Sequence, residues 1–306
     1  MTHMPFQYGK TRNFAGVPHF SDQEFVVIGA PVDCATTFRS GARFGPNAIR
    51  DASMMLTDGY HELYPVDLTD HVGDAGDISL PSGYTEQMLV DVSTVMRELA
   101  GRHVVVLGGD HGITQGILRS LWAGEGPSDL ALVHFDAHCD TWNGHFGMPH
   151  GHGTWLSGAI NEGLIDPEHT ISVGIRSPAD QDSRMFLQNH GGTTISARSA
   201  MSTSPHIMRD IIRAKVGDRP AYLSIDIDCL DPAYAPGTGT PEIGGLTTMW
   251  LQEVLEGLDD IQWIGMDCVE VSPPFDHSSI TSLAAATLVW QYLSMVIHQR
   301  GSGHSS

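Results

Sequence analysis

Apolar and polar positions recur along the chain with two different periods, and the periods assign the elements. Short, mostly apolar runs read as buried strands: Glu24 to Pro31, His103 to Gly108, the run that starts at Leu130, Ile171 to Ile175, Ala221 to Asp228 and Ile261 to Val271. Between them the spacing becomes helical. Thr85 to Leu99 carries Met88, Leu89, Val92, Val95, Met96 and Leu99 on one stripe, with Thr85 placed to cap it. Ile113, Ile117, Leu118 and Leu121 mark a second helix. Further helices are predicted around Pro205 to Val216, over Thr247 to Leu258 and over Ser279 to His298. Thr36 to Arg50 is a glycine-punctuated loop in which Pro46 suits the first turn of a helix. Residues 57–84 carry mixed turn signals and predict no element. Residues 1 to about 23 read as an irregular arm on the surface or on a neighbouring subunit, and residues 301–306 as a linker-like tail.

Strands alternating with helices predict an α/β fold, a mainly parallel sheet with helices on both faces. No composition break or internal repeat divides the 306 residues, so a single domain is expected. In such folds ligands bind beyond the carboxyl ends of the strands. His111, Asp136, His138, Asp140, Asp226, Asp228 and Glu270 all fall at or just after such ends.

Composition narrows the function classes. A hydrophobic fraction of 41% with 17% charged residues is that of a globular chain. No unbroken apolar run approaches the ~20 residues of a membrane span, and the N-terminus lacks the basic-then-apolar order of a secretory signal. Cys34, Cys139, Cys229 and Cys268 stand singly, without the paired spacing of a structural zinc site, so reduced thiols in the cytoplasm are expected. A formal charge of −20 argues against a nucleic-acid partner and favours a cationic ligand, although acidic surfaces mostly confer solubility. No Gly-x-Gly-x-x-Gly follows a strand, and there is no P-loop.

Two segments carry the chemistry. Leu130-Ala-Leu-Val-His-Phe-Asp-Ala-His-Cys-Asp140 turns abruptly polar, and alternation along an extended chain sends Asp136, His138 and Asp140 to one side. Tyr222-Leu-Ser-Ile-Asp-Ile-Asp228 repeats the device with Asp226 and Asp228. Any one of these aspartates could simply cap a turn. Four at the ends of core strands would repel one another, and divalent cations are the simplest compensation. Two imidazoles and four carboxylates can hold two ions, and the oxygen-rich set suits Mn²⁺ better than zinc. Such a pair activates water for hydrolysis. By the same alternation His134 is a core histidine and Cys139 points away. Arg43 and Arg50 hold the glycine-rich loop and helix.

The motifs Gly-Gly-Asp-His111, His-Phe-Asp-Ala-His-Cys-Asp140 and Ser-Ile-Asp-Ile-Asp-Cys-Leu-Asp-Pro232 resemble the three signatures of the ureohydrolases, the arginase and agmatinase family. The resemblance runs from about Gly29 to the last helix. It includes Ala235-Pro-Gly-Thr-Gly-Thr-Pro-Glu-Ile-Gly-Gly-Leu246, Gly265-Met-Asp-Cys-Val-Glu-Val271 and Ile280-Thr-Ser-Leu-Ala-Ala-Ala-Thr287, stretches closer to the agmatinase branch. It implies a three-layer αβα sandwich with a binuclear Mn²⁺ site, Ni²⁺ in some relatives, that splits a small cationic guanidine into an amine and urea. Agmatine is the leading substrate. By carry-over, His111, Asp136, Asp140 and Asp226 hold one ion. Asp136, His138, Asp226 and Asp228 hold the other. Glu270 pairs with the guanidinium, or is a strand-end carboxylate. His152, in His-Gly-Thr154, passes a proton to the leaving amine, or is a surface-loop histidine. The family further implies a homo-oligomer, trimer or hexamer, with a hetero-oligomer or a catalytically silent subunit as the alternatives.

The chain departs from the agmatinase pattern at Met148-Pro-His-Gly-His-Gly-Thr-Trp155. If Trp155 and His150 wall the pocket, they favour smaller or N-alkylated guanidines; the alternative substrates are guanidinobutyrate, guanidine itself, an N-alkylated guanidine or a biguanide. The other reading of Trp155 is core beneath the loop.

Overall fold

All the strands that the apolar runs predict are formed, and two more flank them. The computed structural model describes residues 12–302 except 35, 58, 81–82, 123, 125–127 and 145–146. Residues 1–11 of the expected arm, the end of the tail and His145 lie outside the described residues. In chain order the elements are β1 (Phe25–Ala30), α1 (Gly45–Ser53), β2 (Val72–Asp77), α2 (Thr85–Glu98), β3 (His103–Gly108), α3 (Ile113–Leu121), β4 (Ala131–Phe135) and α4 (Trp155–Asn161). Then follow β5 (Thr170–Ile175), α5 (Gln181–Asn189), β6 (Thr193–Ser196), α6 (Ala197–Met201), α7 (Pro205–Val216), β7 (Ala221–Asp226), α8 (Thr248–Leu255), β8 (Trp263–Val269) and α9 (Ile280–Ser302).

The eight strands form one sheet in the order β2-β1-β3-β8-β7-β4-β5-β6, and every pairing is parallel. Alternate residues feed two cores. Val105 and Leu107 of β3 pack with α1, α7, α8 and α9, whereas Val104 and Val106 pack with α2, α3 and α4. Sheet and two helical layers make the expected αβα sandwich. The four central strands β3, β8, β7 and β4 are those whose carboxyl ends carry the predicted site residues, so their loops converge on one spot.

Three differences from expectation have local causes. Strand β2 lies where no element was predicted, because Val-Gly-Asp-Ala-Gly-Asp has almost no apolar pattern. Its polar interior is held by Arg50, which grips Asp74 through Nε and Nη2 at 2.8 and 2.9 Å and reaches Asp77 at 2.6 Å. Thr85 is the first residue of α2 rather than its cap; Tyr84 takes the cap position and no side chain caps the helix. Helix α9 is long and apolar enough by composition to cross a membrane, although it holds no unbroken apolar run. Within that stretch 72% is buried, with Leu288, Val289, Tyr292 and Val296 packed in the core, so it is a core helix.

Candidate functional site

The chain after β3 turns through Gly109 and Asp110 to deliver His111 two residues before α3. Nδ1 of His111 then sits 3.2 Å from each of three carboxylate oxygens, Oδ2 of Asp136, Asp140 and Asp226. Its other nitrogen is fixed from behind. Nε2 lies 2.8 Å from Ser224 Oγ, and that hydroxyl donates to Asp267 Oδ1 at 2.6 Å. Thr114 and Tyr222 also donate to Asp267. The relay leaves the Nδ1 side of the ring facing the carboxylates.

A second group adjoins the first. His138 Nδ1 is 3.1 Å from Asp228 Oδ2 and 3.3 Å from Asp136 Oδ1. Asp136 therefore offers Oδ2 to the His111 group and Oδ1 to the His138 group. Its orientation is held by His134 Nε2 at 2.9 Å and the backbone N–H of His138 at 2.6 Å. Asp226 accepts the N–H of Asp228, and Asp228 accepts the N–H of Ala137. His134 itself is spoken for at both nitrogens, since Ser172 Oγ lies 3.0 Å from Nδ1.

The electrostatics show what such a cluster requires. Burial, then the neighbouring charges of Asp136 and Asp228 respectively, push the carboxyls of Asp140 and Asp226 well above their ordinary range. Burial lowers His111, but the hydrogen bond of Asp136 and the charge of Asp140 outweigh it and lift the ring to about 9. Carboxylates that resist ionisation around imidazole nitrogens are the donor set that divalent cations relieve. Asp136 belongs to two groups close enough to hold an ion, one with His111, His134 and Asp140 and one with His138 and Asp228, and a shared carboxylate suits two ions.

Above the cluster opens a cavity of about 390 Å³, lined among others by His138, Asp140, Asp226, His152, Phe38 and Glu242. Its size suits a small molecule, and its three carboxylates favour a cation. His152 bridges Thr37 and Glu270: Nε2 is 2.9 Å from Thr37 Oγ1, and Nδ1 is 3.1 Å from Glu270 Oε1. Glu270 is not among the cavity's lining residues; it stands behind His152, 1% exposed. Its Oε1 also accepts the backbone N–H of His111, whereas Oε2 is buried without a hydrogen-bond partner.

Two expected pocket residues lie elsewhere. Trp155 is fully buried and lines no part of the cavity. As the first residue of α4 it points into the sandwich, its ring 4.7 Å from that of His111 and its Nε1–H donating to Asp140 Oδ2 at 2.6 Å. His150 lines a neighbouring cavity with Gln115 and Glu162, because the tight turn Gly151–Thr154 separates it from His152. Conversely, Thr37, Phe38, Trp142 and Glu242 line the cavity and carry no signal in the strand pattern, since they come from loops.

The fold and cluster define a class. The family model described as "Arginase family" matches residues 23–294, and the chain belongs to that family. It is 43% identical to an agmatinase of Serratia proteamaculans (strain 568), over 89% of this chain and 87% of that protein. Among solved structures it is similar to a hypothetical agmatinase from Burkholderia thailandensis, with a TM-score of 0.88 and 37% identity over 97% of this chain and 93% of that one. Proclavaminate amidino hydrolase from Streptomyces clavuligerus matches at a TM-score of 0.88 and 36% identity, over 95% and 99% of the two chains.

Proposed function

We propose that this chain hydrolyses agmatine to putrescine and urea at a pair of divalent ions. Asp136, shared between the His111 and His138 groups, is the observation that carries the reaction class. Agmatinases 40–43% identical over about nine-tenths of the chain support the substrate. His111, Asp136, Asp140 and Asp226 would hold one ion, and Asp136, His138, Asp226 and Asp228 the other. The oxygen-rich set favours Mn²⁺, with Ni²⁺ the alternative. When bound, the ions lower the pKa of a water so that it is nucleophilic near neutral pH.

The remaining steps belong to side chains. Glu270 stands behind His152 rather than in the cavity wall, so its charge acts on the guanidinium through His152, and a direct contact would use Oε2, which has no partner among the described residues. Asp140, in the cavity lining, orients the attacking water. A C–O bond forms at the guanidino carbon as the C–N bond to the tail breaks. His152, between Thr37 and Glu270, gives the departing nitrogen its proton. With Trp155 outside the cavity wall, the reason to prefer compact guanidines falls away. A cytoplasmic setting and a homo-oligomer complete the proposal and rest on the family resemblance.

Urea release across a panel of guanidino compounds, with Mn²⁺ or Ni²⁺ loaded, tests the reading. The panel should include agmatine, guanidinobutyrate, free guanidine and a guanidino acid, because a neighbour of equal structural likeness acts on an amidino group in a different molecule. The highest kcat/KM is expected for agmatine. Urea from none of them, with metal bound, would leave a silent subunit.

A further inference from the structure

The carboxylate of Asp140 is held differently from its neighbours. Asp226 and Asp228 accept backbone N–H groups and Asp136 accepts both a backbone N–H and an imidazole. Apart from His111, the one donor to the Asp140 carboxylate among the described residues is the indole of Trp155, at 2.6 Å. The indole has little freedom to leave. Its ring lies against His111 at 4.7 Å and meets the His134 ring edge-on at 5.2 Å, all three fully or almost fully buried.

The backbone of Asp140 is gripped by the same turn of helix. Asp140 adopts φ 52, an uncommon conformation for a residue with a side chain, and it needs support from its surroundings. Its carbonyl accepts the N–H groups of Leu156 and Ser157 at 3.1 and 3.4 Å. The first turn of α4 thus holds Asp140 by carboxylate and carbonyl together, and closes the ends of the loop that brings Trp142, His152 and Gly153 to the cavity.

We infer that Trp155 is the positioning residue of Asp140, setting the orientation and effective charge of a metal-facing carboxylate and with them the affinity for one ion. The inference rests on the two-ion reading proposed above. An indole suits the task chemically. It donates and never accepts, so it favours the ionised carboxylate, and it is neutral, so it does not compete with a cation as lysine or arginine would. Because Trp155 stays out of the cavity, it acts on the metal and on turnover, not on substrate affinity.

The test is calorimetric titration of Mn²⁺ into metal-free protein, comparing wild type with Trp155→Phe, which keeps an aromatic ring and deletes the N–H. One of the two ions is expected to bind 10- to 100-fold more weakly, the range for partners that orient metal ligands. With both ions saturating, kcat should fall while KM for agmatine stays within about twofold. Trp155→Leu, which likewise has no donor, serves if the phenylalanine variant does not fold, and the same loss is expected. Wild-type affinity for both ions in a folded variant would overturn the inference, as would a change confined to KM. The titration needs no substrate, so a wild-type protein that binds two ions but releases no urea would refute the proposed reaction and leave this result standing. A wild-type protein that binds no ion would refute both.

Discussion

The backbone N–H of His111 donates to Glu270 Oε1 at 2.9 Å, tying the turn after β3 to the end of β8. One carboxylate oxygen therefore builds the site while the other is buried behind His152 with no hydrogen-bond partner among the described residues. Glu270→Gln keeps an acceptor for His111 and loses the charge that recognises a guanidinium. A charged hydrogen bond is worth about 1.5–3 kcal/mol, so kcat/KM for agmatine should fall roughly 10- to 150-fold with metal content unchanged. Elemental analysis beside steady-state kinetics checks both halves; loss of metal would mean that Glu270 is structural.

His152 predicts a pH limb. Burial lowers its pKa, but the hydrogen bond and charge of Glu270 outweigh burial, so the ring titrates above its ordinary value. The protonated acid then persists to higher pH than in an ordinary histidine, and kcat should decline as pH rises through that raised pKa. His152→Asn should remove this descending limb and lower kcat by about 10²–10⁴-fold. A pH–rate profile that keeps its alkaline limb in the variant would take His152 out of proton transfer.

Much of this was legible in the chain, and what was not has physical reasons. Buried parallel strands leave continuous apolar runs, so β1, β3, β4, β5, β7 and β8 could be read directly, and the aspartates at the ends of β4 and β7 stood out against them. Edge strand β2 was missed because polar pairs such as Arg50 with Asp74, distant in sequence, replace hydrophobic burial there, and β6 because Thr193–Ser196 is short and only half-buried. Asp226 and Asp228 do meet one cluster, although a short 3₁₀ turn begins at Ile227 and ends the alternation that suggested it. The loop residues were the hardest. Nothing in Met148 to Trp155 says that Gly151–Thr154 turns tightly, which is why His150 and Trp155 looked like pocket walls. Whether Trp155 faces a cavity or a core depends on the entry angle of α4, and only the packed structure supplies that.

Asp226→Asn should act oppositely on the metal-free and metal-loaded protein. Burial, then the charges of Asp228, Asp136 and Glu270, raise the Asp226 carboxyl well above its ordinary value, so its ionised form costs stability at neutral pH when no cation is present. Removing the charge should raise the melting temperature of the metal-free protein, by about 2–4 °C for each kcal/mol relieved. With metal, the variant should lose ion binding and at least ~10³-fold in turnover. Calorimetric melting with and without chelator separates the two effects, and a metal-free variant less stable than wild type would contradict the first.

His103, far from the site, predicts acid sensitivity. Burial, helped by the charge of Arg300, lowers its pKa to about 3. Arg300 Nη2 donates to Nδ1 at 2.8 Å, and Nε2 lies 2.9 Å from the Tyr292 hydroxyl, so the ring is held neutral. The unfolded chain takes up the proton below pH 6.5 and the folded chain does not, so stability falls as pH drops through that window. At pH 5 the cost is about 2 kcal/mol. Urea unfolding of metal-free protein at pH 7 and pH 5 should show a smaller drop, by about that amount, in His103→Gln than in wild type. Equal drops would contradict the assignment.

On the proposed reaction, two metal ions and the groups around Asp136 together split agmatine. The most direct measurement is the yield of urea and putrescine from agmatine as Mn²⁺ is titrated into metal-free protein, with bound metal counted at each point. A two-ion reaction gives equal yields of the two products, reaching a plateau at two ions per chain and vanishing with chelator. A plateau at one ion, or two bound ions and no urea, would contradict it.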